Sequence, residues 1–222
     1  MNALQKYWSY VNRITVEKTS SKYNKKLVVA IQDGKYVLNA TNANYSFASL
    51  HRVFQRAFHK IKLQEKNINS ILVLGCGAGS IPKIIYKEMG LNPIIDAVEI
   101  DEKVIELGSK YFGLNQYKNL NVVIDDAVNY VKTTNNRYDL ICVDVFDGIN
   151  VPKAILTQEF LSQIKERLTD KGELLLNYVA HNYETKQQVI EIESLFNSLF
   201  SKKETYKLEG INRIFYAQKK AK

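Results

Sequence analysis

At 222 residues, with 45% hydrophobic and 24% charged residues, the chain has ordinary globular composition and length for one sizeable core or one domain with a small appendage, which excludes a disordered class. Its two cysteines, Cys76 and Cys142, form no CxxC pair, and no run approaches the roughly 20 apolar residues a membrane span needs, so neither structural zinc nor a membrane is expected and a reduced, cytoplasmic setting is. The net charge of +8 belongs to the front third: residues 1–66 hold 12 Lys+Arg against 3 Asp+Glu, and the remainder 19 against 20. With no compact arginine and aromatic cluster, this reads as a solvated lysine-rich surface, and nucleic acid is not the expected partner.

Segments Ile14–Glu17, Leu27–Ile31 and Tyr36–Asn39 read as strands, with Asp33-Gly34 as a type I′ hairpin turn between the last two. Phe47, Leu50, Phe54, Ala57, Phe58 and Ile61 recur at three- and four-residue steps and predict an amphipathic helix. From Ser70 onward, apolar strand runs alternate with helical patterns, the signature of a doubly wound α/β sheet. Its expected strands are Ile71–Leu74, Ile94–Glu99, Asn121–Ile124, Asp139–Val145 and Glu173–Val179. Its expected helices run from the glycine-rich turn to Gly90, over Glu102–Phe112, from Ala127, over Thr157–Leu168, and through Val189, Ile192, Phe196 and Leu199. Lys203–Leu208 and Ile211–Gln218, separated by Glu209-Gly210, predict a closing antiparallel hairpin. Two units are therefore expected: a small β domain over 1–43 and a Rossmann-like nucleoside-binding domain over 44–222.

The apolar run Ile71–Leu74 ends in Gly75-Cys76-Gly77-Ala78-Gly79-Ser80. Glycines there permit left-handed backbone and close ligand approach, and the following helix would aim unpaired N–H groups at a ligand. In such a sheet the ligand lies beyond the carboxyl ends of the strands. Glu99 falls at the second strand end, suited to a ribose; Asp126 after the third, suited to an exocyclic amine; Asp144 and Asp147 after the fourth. The dinucleotide fingerprint would place its third glycine at position 80, which is Ser80, whereas Gly79 gives the G-x-G-x-G spacing of methyltransferase-type folds.

Over Leu72–Asn177 the chain resembles the spermidine synthase family of polyamine aminopropyltransferases, relatives of class I S-adenosylmethionine-dependent methyltransferases. The resemblance rests on Val98-Glu99-Ile100-Asp101, Lys110-Tyr111-Phe112, Asp125-Asp126-Ala127, Tyr138-Asp139-Leu140-Ile141 and above all Asp144-x-x-Asp147, with Thr157-Gln158-Glu159-Phe160 and Leu168-x-x-x-Gly172 beside them. It implies a Rossmann-like methyltransferase sheet, and S-adenosylmethionine or its decarboxylated form bound by Gly75, Gly77, Ala78, Gly79, Glu99, Ile100, Asp126, Ala127 and Asp144. Asp144 and Asp147 are the implied catalytic residues, Asp147 also toward the substrate; Tyr178 and His181, by their position at the end of the fifth strand, are further candidates to line the acceptor pocket. Three departures matter. The family's glycine loop carries an Asp that contacts the aminopropyl amine and disfavours the parent cofactor's carboxylate, by about 4 kcal/mol for like charges about 4 Å apart; here that position is Ala78. The family's Tyr-His-Glu has no counterpart near Asn44–Ser49, and its proline-containing gate is replaced by Gly148–Pro152. The leading expectation is methyl transfer to a small, amine-bearing acceptor. The alternatives are aminopropyl transfer from decarboxylated S-adenosylmethionine and a non-catalytic nucleoside-binding relative. A homodimer is the oligomer considered, and no metal is expected.

Overall fold

In the computed structural model, which describes residues 2–40 and 48–219, the front of the chain is an antiparallel sheet of β1 (Ile14–Thr19), β2 (Leu27–Gln32) and β3 (Lys35–Ala40), in that spatial order. Asp33 and Gly34 join the last two strands with φ of 51° and 72°, the left-handed pair a type I′ turn requires. A helix the hydrophobic pattern does not announce, α1 (Ala3–Trp8), precedes the sheet. It buries none of its residues, so it has no apolar stripe to read. Its local signal is a capping box, in which the Asn2 side chain accepts from the Gln5 N–H at 2.8 Å and the Gln5 side chain from the Asn2 N–H at 3.1 Å. The expected domain boundary at 43/44, Phe47, the Asn44–Phe47 stretch and the last three residues of the basic tail lie outside the described residues.

The second sheet has seven strands, β4 (Ser70–Leu74), β5 (Ile94–Glu99), β6 (Leu120–Ile124), β7 (Tyr138–Val143), β8 (Leu168–Val179), β9 (Lys202–Leu208) and β10 (Asn212–Gln218), in the order β6-β5-β4-β7-β8-β10-β9. The five from β4 to β8 are parallel, and β10 inserts antiparallel between β8 and β9. The order reverses at β4, which sets the switch point between β4 and β7. Residues Ile71 to Leu74 of β4 are all fully buried, each contributing about 1.5–3 kcal/mol by leaving water.

Helices cover both faces. On one lie α2 (Ala48–Lys60), α3 (Ser80–Lys83, continued by a π-helical turn over Ile84–Glu88) and α4 (Glu102–Phe112); on the other lie α5 (Ala127–Thr133), α6 (Gln158–Arg167) and α7 (Tyr183–Leu199). Two strand limits differ from expectation. β7 stops at Val143, because Asp144 makes one last ladder bond, from its N–H to the Leu74 carbonyl at 2.8 Å, and the chain then turns outward. β8 begins at Leu168, five residues early, because a register irregularity opposite Tyr138–Leu140 absorbs the polar stretch before Glu173. Gly172 sits there with no room for a side chain, since a Cβ would come within 2.8 Å of the Tyr138 carbonyl oxygen.

The front sheet docks where the site begins. Leu27, Val29 and Leu38 pack with Ala78, Val104 and Leu107 in a separate apolar cluster. The β1–β2 loop is latched to buried Asp101, which accepts from Ser21 Oγ at 2.5 Å and from Asn24 Nδ2 at 2.7 Å. Part of the front third's positive charge is spent internally: Arg52 and Arg56 on α2 each lie 3.0 Å from the Glu209 carboxylate in the β9–β10 turn, and Lys66 lies 2.6 Å from Glu173. Among the described residues no helix is long and apolar enough to cross a membrane.

Candidate functional site

A cavity of about 940 Å³ opens at the carboxyl ends of β4, β5 and β7. Its floor is the turn after β4. Gly75 has φ 87°, and a Cβ there would lie 2.3 Å from the Asp144 carbonyl oxygen, so the two crossing backbones leave no room for any other residue. The turn is pinned from below. The Gly75 and Cys76 N–H groups donate to the Val98 carbonyl at 2.9 and 3.0 Å, and the Gly77 N–H donates to Glu99 Oε2 at 2.8 Å. The loop thus has its first three amides consumed by the protein. It offers a ligand space, not an anion-binding nest of donors.

The charges agree with that. Among the described lining residues are five carboxylates, Glu99, Asp125, Asp126, Asp144 and Asp147, and one cationic side chain, Lys22. A pyrophosphate would meet repulsion here; a cationic ligand would not. Glu99 is 7% exposed and accepts from Gly77 N–H and, at 3.2 Å, from Asp101 N–H. Burial raises its carboxyl above the ordinary range, although these backbone bonds pull the other way. Asp126 caps α5, its Oδ1 accepting from Val128 and Asn129 N–H at 2.9 and 3.1 Å. Beside it Asp125 accepts from Asn129 Nδ2 at 2.9 Å. Ile100, Ala127, Val98 and Val145 give this end an apolar wall.

Asp144 stands half-buried at the centre. Burial pushes its carboxyl up to about 6, the Asn177 hydrogen bond lowers it, and the Glu99 charge adds a further upward push. Asp147 is exposed at the mouth, in a turn closed by reciprocal backbone bonds with Asn150 and by Gly148 at φ 63°. Phe54, Ile81, Val179, Ile211 and Asn212 line the remaining wall.

Four expected site residues do not line the cavity. The Ala78 methyl faces the apolar seam with the front sheet and α4, where a small side chain fits between Leu27 and Leu107. Gly79, at φ 93°, acts through shape: a Cβ there would come within 2.5 Å of Leu114. Tyr178 is buried on the opposite face of the sheet, against Phe215, with its hydroxyl donating to Gln188 at 2.5 Å. The reason is strand alternation, which turns Asn177 toward the site when Tyr178 turns away. His181 lies beyond the end of β8, half-buried, with Nδ1 enclosed and unbonded.

Sequence reasoning missed Asn177, whose Nδ2 donates to Asp144 Oδ1 at 2.9 Å, and Asn212, which β10 places opposite Val179. Nothing in β8 marked Asn177, because the strand is buried on both faces there and its polarity does not alternate. Nothing local marks Asn212, Phe54 or the Lys22–Asn24 loop, since each arrives from a distant part of the chain.

Comparison with known proteins gives a coherent set of similarities. A family model described as the spermine/spermidine synthase domain matches residues 50–209. A polyamine aminopropyltransferase of Vibrio vulnificus is 31% identical over 149 residues, covering 65% of this chain and 48% of that protein. The human eEF1A lysine and N-terminal methyltransferase is 30% identical over 163 residues, covering 67% of this chain and 23% of that protein. The chain thus spans about half or less of the length of these relatives. Among solved structures, human methyltransferase-like protein 13 in complex with SAH aligns at TM-score 0.65 and 26% identity, over 78% of this chain and 83% of that one. A spermidine synthase in complex with the transition-state analogue AdoDATO aligns at TM-score 0.73 and 16% identity, over 94% of this chain and 75% of that one, a likeness of fold.

Proposed function

Because the chain belongs to the spermine/spermidine synthase domain family, we propose that it is a transferase using S-adenosylmethionine, with methyl as the transferred group and a small amine-bearing molecule as acceptor. The observation that carries the choice of methyl is the glycine loop. No carboxylate stands at position 78, where the family's Asp would disfavour the parent cofactor. Likeness to a methyltransferase structure in complex with SAH supports the same choice.

The lining residues fit such a ligand. All four of Glu99, Ile100, Asp126 and Ala127 line the cavity, which supports a reading in which Glu99 accepts from ribose hydroxyls, Ile100 and Ala127 flank a base, and Asp126 accepts from its exocyclic amine. The consumed loop amides and five carboxylates suit a sulfonium and disfavour a phosphate. When bound, that sulfonium supplies an already activated carbon and a neutral leaving group. Asp144 and Asp147 hold the acceptor as a cation, and Asp144 is the group positioned to take the amine's proton. With its carboxyl at about 6, Asp144 is mostly ionised at pH 7, as a base must be. Aminopropyl transfer remains the second reading, supported by the similarity to polyamine aminopropyltransferases.

The test is thermal. S-adenosylhomocysteine should raise the melting temperature by mass action, by the equivalent of about 2.7 kcal/mol at 100 times its Kd. Glu99→Ala should abolish that shift. A full shift in the variant would remove Glu99 from the site, and a shift with NAD in place of the nucleoside would overturn the reading altogether.

A further inference from the structure

The absence of an acid at position 78 removes a repulsion but leaves the cavity hostile to a carboxylate. Glu99, Asp125, Asp126, Asp144 and Asp147 all line it. At neutral pH the decarboxylated cofactor carries a sulfonium and an ammonium, whereas the intact one adds a carboxylate and so has one net positive charge fewer. A wall of five acids therefore still favours the decarboxylated form, and the carboxylate of the intact form needs a positive partner of its own. The first three amides of the glycine loop cannot serve, since they bond Val98 and Glu99. Among the described lining residues, the cationic side chain is Lys22.

The Lys22 side chain is exposed, and its ammonium rests over the Tyr23 ring, 5.3 Å from the centroid, with no ion pair among the described residues. The loop that carries it is fixed. Ser21 N–H donates to the Asn24 carbonyl at 2.8 Å, Ser21 Oγ accepts from Tyr23 and Asn24 N–H at 3.2 and 2.9 Å, and both Ser21 Oγ and Asn24 Nδ2 donate to Asp101. The Asp101 N–H donates in turn to Glu99, which also accepts from Gly77 N–H. This chain of bonds ties the Lys22 backbone to Glu99 and the glycine loop, the side of the cavity that the transferase reading gives to the cofactor.

We infer that Lys22 is the counter-ion of the intact cofactor's carboxylate, and so a determinant of which cofactor the cavity accepts. The inference rests on the transferase reading above. A lysine suits the task, because a compact ammonium on a flexible four-carbon stem can leave an exposed aromatic face and follow a carboxylate while its loop stays in place. Loss of repulsion at Ala78 and attraction from Lys22 are then separate contributions, one from the glycine loop and one from the β1–β2 loop.

The test is calorimetric, needs no turnover and uses two ligands that differ by the carboxylate alone: S-adenosylhomocysteine and its decarboxylated counterpart, S-adenosyl-3-thiopropylamine. Both are titrated into the wild-type protein, Lys22→Gln and Lys22→Arg at one ionic strength. In Lys22→Gln the affinity for S-adenosylhomocysteine relative to its counterpart should fall by about five-fold or more, equal to about 1 kcal/mol, as for a good ion pair open to solvent. The counterpart should bind this variant as it binds the wild type, which also shows that the variant is folded. Lys22→Arg, which keeps the charge, should keep the wild-type ratio. A fall of less than five-fold in Lys22→Gln overturns the inference, as does an equal fall in Lys22→Arg, since that would be steric. Failure of both ligands to bind the wild type would be a different result, striking the transferase reading itself and the inference with it.

Discussion

At one end of the cavity Gly75, Gly77, Glu99 and Asp126 are fixed by backbone hydrogen bonds, and all lie within 52 residues of one another on consecutive strand ends. At the other end Phe54, Ile211 and Asn212 are brought from α2 and the C-terminal hairpin, distant parts of the chain. The nucleoside end is thus set by a strand–turn–helix that any sequence of this pattern must form. The opposite end is set by side chains that come from separate elements far apart in sequence. A family can keep its cofactor and change its acceptor for that reason, and this chain's departures from the spermidine synthase pattern bear accordingly on the aminopropyl and acceptor contacts.

Asp144 joins the two ends, and substitution there separates them most strongly. Asp144→Asn should reduce turnover by about 10²–10⁴-fold, the usual worth of a positioned acid–base group, with a change in S-adenosylhomocysteine affinity of only about three-fold or less. Steady-state kinetics beside calorimetry would check this, and equal losses in both would show that the ends are not separable. Ala78→Asp comes next. The family's aspartate would enter an apolar seam here, so the expected result is a stability loss of about 3 kcal/mol in chemical denaturation. An unperturbed variant that gains affinity for the decarboxylated cofactor would show instead that position 78 still reaches the cavity.

The strand positions at the site were legible from sequence because β4, β5 and β7 are mostly apolar runs that end in glycine or carboxylate. Glu99, Asp126, Asp144 and Asp147 needed only that pattern and the switch-point rule. Tyr178 went astray by one residue: the segment Leu174-Leu175-Leu176-Asn177-Tyr178-Val179 is buried on both faces, so its polarity does not reveal which side Asn177 takes. Asn212 needed the register of an antiparallel strand arriving from beyond α7, and Ser21 and Asn24 needed a partner, Asp101, about 80 residues away. Long-range pairing leaves no periodic trace in any one segment.

A smaller effect sharpens the account of Asp144. Its folded-state pKa, about 6, lies above the ordinary 3.8, so the native protein binds this proton more tightly than the unfolded chain does. That contribution is fully present below about pH 4 and is lost as the pH rises through about 6, after which the ionised, half-buried carboxylate weighs against folding. Ligand-free Asp144→Asn should therefore be more stable than the wild type at about pH 8, by about 1–3 kcal/mol, with the difference gone near pH 4. Denaturant titrations at the two pH values would show it, and a constant difference would mean that the carboxylate titrates as an ordinary one.

The central claim is that this glycine loop has lost its means of rejecting the intact cofactor. It is tested most directly by calorimetric affinity of the wild-type protein for S-adenosylmethionine against decarboxylated S-adenosylmethionine under one set of conditions. With Ala78 in place of a carboxylate, the intact cofactor should bind at least as tightly as the decarboxylated one. A preference of about ten-fold or more for the decarboxylated form, equal to about 1.4 kcal/mol, would contradict the claim and make aminopropyl transfer the reading to keep.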